Sequence, residues 1–129
     1  MTMRTRYADI PVYRTKDGSQ IRELMHPDHH ANRAQSLAEA IVSPGQETLL
    51  HKHLRTEELY HITAGRGLMT LGDERFEVGV GDTVLIAPGT EHCIRNTGDA
   101  PLCILCSCSP AYSHEDTVLL TGDDGVAVG

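Results

Sequence analysis

The chain has 129 residues, and one domain over 1–129 is expected. Eighteen acids against eleven bases give a formal charge of −7 with no dense basic cluster, which argues against a nucleic-acid partner. No apolar run nears the roughly 20 residues of a membrane helix. The first ten residues lack the apolar stretch of a secretory signal, so a cytoplasmic protein without a membrane partner is expected.

Residues 1–33 read as an N-terminal arm with one or two strands, such as Gln20–Met25. Asp28 to Gln35 has a possible cap at Asp28 and could form a short turn of helix. From there the chain is strands and turns. Short β-rich segments run over Ser36–Ser43, Thr48–Leu54, Glu58–Thr63, Leu68–Leu71, Arg75–Val78, Thr83–Ile86, Glu91–Asn96 and Leu102–Ser107. Gly and Pro clusters separate them, such as Pro44-Gly45, Gly79-Gly81 and Pro88-Gly89. Gly72-Asp73 reads as a tight hairpin. Many short strands at regular spacing predict an all-β sandwich or barrel. The core is expected over about 34–109, with a polar tail over 110–129 in which 122–129 is expected to be mobile.

The four cysteines are Cys93, Cys103, Cys106 and Cys108. Without a secretion signal, reduced thiols are the expectation. On a strand Cys106 and Cys108 face one way and Cys103 the other, so the three thiols do not converge on one ion. They read as core.

Eight histidines in so short a chain are unusual. His51 and His53 share one face of a strand and lie about 6–7 Å apart along it. The polar link after them, Leu54-Arg-Thr-Glu57, reads as a hairpin that returns Glu58 to their level. Glu58, Tyr60 and Ile62 then share a face. A carboxylate beside two imidazoles suits a divalent transition metal. His92 starts a later alternating strand, with Ile94 and Asn96 on its side. His26, His29 and His30 read as surface or loop histidines or as a lid over a pocket. His61 faces away from the ligand side, and His114 lies in the polar tail. Glu39 and Glu47 are candidates for an inward acid or base whose facing is open. Arg95 alternates outward from His92.

These residues resemble the cupin superfamily. Its first motif is matched at every defined position by Gly45, His51, His53, Glu58 and Gly65. Its second is matched by Gly81, Pro88, Gly89, His92 and Asn96, with Ala87 standing where the motif has Pro. The departure touches turn stiffness and not a ligand. The resemblance implies a double-stranded β-helix, a jelly-roll barrel with its metal inside the mouth. It implies the ligands His51, His53, Glu58 and His92, and a homodimer in which residues 1–30 are available for strand exchange. Glu57 competes with Glu58, but strand parity and the six-residue spacing to Gly65 favour Glu58.

Three imidazoles and a carboxylate leave about two positions open on a six-coordinate ion. Fe, Mn, Ni, Cu, Co and Zn all tolerate this set, so the ligands do not select the metal. The partner is expected to be a small molecule. A metalloenzyme acting on a small oxygen-rich molecule is the leading expectation, with dioxygenase chemistry slightly ahead of isomerase, epimerase or decarboxylase chemistry. That lean rests on the lack of an identified second carboxylate. A non-catalytic small-molecule-binding cupin is the other class. No catalytic residue is singled out.

Overall fold

The computed structural model describes residues 3–120; the expected mobile stretch 122–129 lies outside them. Eleven strands follow in chain order: β1 (Val12–Arg14), β2 (Gln20–Met25), β3 (Ser36–Val42), β4 (His51–His53), β5 (Glu57–Ala64), β6 (Arg66–Leu71), β7 (Glu74–Gly79), β8 (Thr83–Ile86), β9 (His92–Asn96), β10 (Leu102–Ser109) and β11 (Thr117–Leu119). They form two antiparallel sheets, ordered β1-β2-β3-β10-β5-β8 and β11-β4-β9-β6-β7. The fold is the expected all-β double-stranded β-helix. No helix among the described residues is long and apolar enough to cross a membrane.

Alternation builds the interior. Along β5, Glu58, Tyr60 and Ile62 are buried while Glu57, Leu59 and His61 are exposed. Along β10, Leu102, Ile104, Cys106 and Cys108 point inward. Ile62, Met69, Ile86, Ile94, Leu102 and Ile104 are almost wholly buried. Each such side chain contributes about 1.5–3 kcal/mol relative to exposure.

Turn residues set the registers. Gly72 opens the predicted hairpin at φ +59°, with Leu71 opposite Glu74. Gly65, at φ +82°, joins β5 to β6, and a Cβ there would lie 2.6 Å from the Pro101 carbonyl oxygen. Asn96 is a buried hub. Its Nδ2 donates to the Val42 and Ala100 carbonyls, and its Oδ1 accepts from the Gly98 N–H.

Two features differ from the sequence reading. Residues 28–35 form isolated turns, not a turn of helix: the His29 and His30 N–H groups both bond the His26 carbonyl, and no 3.6-residue pattern follows. The single helical turn among the described residues is 3-10, at Tyr7–Asp9. The N-terminal arm carries the expected strands, with β1 paired to β2 and β2 to β3. Tyr7 Oη donates to Glu39 Oε1 at 2.5 Å, and Arg22 stacks 4.4 Å over the Tyr7 ring. A strand not predicted, β11, pairs with β4 and sets Thr117 opposite His53.

Candidate metal centre

β4 places His51 and His53 on one inward face, and its register with β9 sets His51 opposite His92. All three rings are buried. One ring nitrogen from each lies within 4.8 Å of the other two. Backbone and hydroxyl acceptors hold the outer nitrogens. His51 Nδ1 donates to the Leu49 carbonyl at 2.7 Å, and His92 Nδ1 donates to the Thr90 carbonyl at 2.9 Å. Thr117 Oγ1 gives its own proton to the Ser113 carbonyl and accepts from His53 Nδ1 at 3.0 Å. Every Nδ1 therefore donates outward, and every Nε2 points inward.

Glu58 joins them from β5. Its Oε1 lies 3.2 Å from His53 Nε2 and 3.6 Å from His92 Nε2. Its Oε2 accepts the Cys108 thiol at 3.4 Å. Glu57 faces solvent. Burial pushes the Glu58 carboxyl up, but the facing His53 and His92 rings outweigh it and bring it down to about 2. Burial, aided by the nearby His92, lowers His51 to about 4.

Two of these atoms, Glu58 Oε1 and His92 Nε2, are buried with no hydrogen-bond partner. Leaving such groups unpaired costs about 1–3 kcal/mol each, and more for a charged one. A cation between them removes that cost. Donors about 2.1 Å from one ion stand about 3.0 Å apart at right angles and about 4.2 Å apart when opposed. The Glu58 separations from His53 and His92, 3.2 and 3.6 Å, fall in this range. The residues present fit a divalent transition metal.

His51, His53 and Glu58 open onto a cavity of about 50 Å³. Its wall includes Ile21, Ala38, Ala40, Tyr60 and Cys106, with Tyr13, Glu23 and Tyr112 at its more exposed side. That is room for a few waters or a compact ligand. The Tyr60 ring stands edge-on to His92, 5.9 Å away. Tyr112 packs edge-on to His53 and shares a hydrogen bond with Thr15 Oγ1 at 3.2 Å.

Other candidates fall elsewhere. Glu39 points to the outer face, held by Tyr7 and near Arg22, and Glu47 lies beside the Cys93 thiol. Neither lines the cavity. His61 is exposed and bonded to Thr83, and Arg95 is exposed. His26 lies in a loop as expected but not on the surface. It is buried, with Nε2 donating to the Tyr112 carbonyl and Nδ1 accepting the Asp28 N–H, so it ties residues 26–28 to the cavity wall. All four cysteines are free. Burial, then the Glu58 charge, raises the Cys106 and Cys108 thiols, so they stay protonated.

The sequence reading missed three residues here. Thr117 orients His53, and Tyr112 covers it. Asp17, buried in the turn between β1 and β2, brings Oδ2 to 3.6 Å from His51 Nε2. The one sequence signal for Asp17 was its place in a Thr-Lys-Asp-Gly-Ser turn, which is also what a solvent hairpin looks like.

A double-stranded β-helix with inward histidines in its mouth defines a class of barrel proteins. The chain belongs to the cupin domain family, whose model matches residues 38–108. It is 58% identical over 118 residues to the uncharacterized protein MJ1618 of Methanocaldococcus jannaschii, covering 92% of this chain and 94% of that one. A predicted oxalate decarboxylase from Thermotoga maritima superposes with a TM-score of 0.74 at 25% identity, covering 84% of this chain and 99% of that one. Streptomyces Pac13, a nucleoside dehydratase solved with uridine, shares the fold at a TM-score of 0.77 and 15% identity, covering 94% of this chain and 92% of its own.

Proposed function

We propose that this cupin is a metalloenzyme that holds one divalent transition ion on His51, His53, Glu58 and His92 and acts on a small oxygen-rich molecule. The supporting observation is the pair of buried, unpartnered atoms, Glu58 Oε1 and His92 Nε2, in a cluster whose every Nδ1 is engaged. An ion bound there would polarise a coordinated oxygen and keep a place for it. The protein's own groups do the rest. The Leu49 and Thr90 carbonyls and Thr117 fix the three rings, and the Cys108 thiol fixes the Glu58 carboxylate. The apolar wall of Ile21, Ala38 and Ala40 keeps bulk water off, and the small cavity limits the substrate to a compact molecule.

That small cavity suits dioxygen chemistry on an enediol, thiol or diketone. A second reading, decarboxylation of a small acid, is favoured by the likeness to the Thermotoga protein. Free thiols throughout suit a reducing cytoplasm.

Elemental analysis of native protein against a His51→Ala, His53→Ala double variant tests the centre; equal metal content in both refutes it. Oxygen uptake with enediols, thiols and 1,3-diketones tests the first reading, and carbon dioxide release from small dicarboxylates tests the second. Tight binding of these compounds by metal-replete protein without turnover assigns a binding module instead.

A further inference from the structure

We propose that Asp17 is a fifth protein donor, so that the centre holds its ion with two carboxylates. This rests on the metal-centre reading above.

The two carboxylates are built alike. Each has one oxygen engaged by a side chain and the other turned to a bare imidazole nitrogen. In Glu58, Oε2 takes the Cys108 thiol, and Oε1 faces His92 Nε2 at 3.6 Å. In Asp17, Oδ1 takes the Ser19 N–H at 2.9 Å and the Ser19 hydroxyl at 2.7 Å. Its Oδ2 faces His51 Nε2 at the same 3.6 Å.

His51 Nδ1 carries the ring proton, because the Leu49 carbonyl can only accept. Nε2 is thereby turned to the Asp17 carboxylate oxygen. The separation is too long for a hydrogen bond. It also falls within the spacing of two donors on one ion. Leu49 clamps both partners at once: its N–H bonds the Asp17 carbonyl at 2.8 Å, and its carbonyl holds the His51 ring. Asp17 stands on the His51 side of the cluster, while Glu58 stands beside His53 and His92. Two carboxylates carry the charge that a buried divalent ion needs beside it.

The test uses full-length protein and Co²⁺, titrated against a competing chelator while the visible absorption of the bound ion is followed. Asp17→Asn keeps an acceptor for Ser19 and removes the charge. Asp17→Ser keeps a hydroxyl acceptor for the turn but cannot reach the ion. Thermal melting without metal reports whether each variant folds. The expected result is a loss of Co²⁺ affinity of at least about tenfold in both variants, with a changed absorption spectrum. Wild-type affinity and spectrum in either folded variant, in protein whose His51→Ala, His53→Ala form has lost Co²⁺, overturn the role of Asp17 and leave the centre standing. No Co²⁺ binding by the wild type overturns the centre and this inference together.

Discussion

Thr117→Val removes one hydroxyl and little else. The hydroxyl accepts from His53 Nδ1 and donates to the Ser113 carbonyl, and Thr117 is 4% exposed. Valine keeps the shape and leaves both partners without a bond. At about 1–1.5 kcal/mol for each lost bond the cost is about 2–3 kcal/mol, or about 8–12 °C of melting temperature in a domain of this size. The same change frees the His53 ring to turn or to move its proton to Nε2, where a proton excludes a metal. Loss of such an orienting partner weakens metal affinity about 10–100-fold. Melting curves with and without metal, with chelator competition, read both effects. Thr117→Ser keeps the hydroxyl and is expected to bind metal as the wild type does. If the serine variant loses as much affinity as the valine one, the methyl group matters and the hydrogen-bond argument fails.

Three further outcomes are expected. Asn96→Ala leaves the Val42 and Ala100 carbonyls and the Gly98 N–H to find new partners; a loss of about 3 kcal/mol in denaturant unfolding is expected, and a loss under 1 kcal/mol would contradict the hub. Gly65→Ala places a Cβ against the Pro101 backbone at a positive φ, so about 3 kcal/mol or more is expected, seen as a lowered midpoint in urea. Asp116 is a buried carboxylate that accepts the Arg55 and Thr56 N–H groups at 2.9 and 3.0 Å. Burial pushes it up, but these bonds hold it below the usual range. A depressed carboxyl stabilises the fold above its unfolded value near 3.8 and loses that contribution as pH falls through the folded value. Melting temperature should therefore fall on acidification below about pH 4, and less steeply in Asp116→Asn, which is already weaker at neutral pH.

The strand rhythm was legible because turn residues are chemically distinct and the strands alternate. Glu58 was legible for the same reason: one side of β5 is Glu58, Tyr60 and Ile62, and the count from the turn fixes which side is inward. Glu39 shows where parity stops working. Its strand carries Leu37 and Ile41 on the outer face and small Ala38 and Ala40 on the inner one, so the apolar bulk points away from the core. Asp17 and Thr117 lay beyond reach for another reason. Each acts across a long separation in sequence, and a turn or a short polar strand says nothing about which distant surface it will cover. His26 was hidden likewise, since its burial comes from Tyr112, 86 residues on.

The hydrogen bond between His53 and Thr117 spans 64 residues. A growing chain on the ribosome can complete its histidine strands well before that threonine emerges from the exit tunnel. Until it does, the His53 tautomer is unset, so tight loading waits for β11, and a fragment cut short before β11 should hold metal weakly.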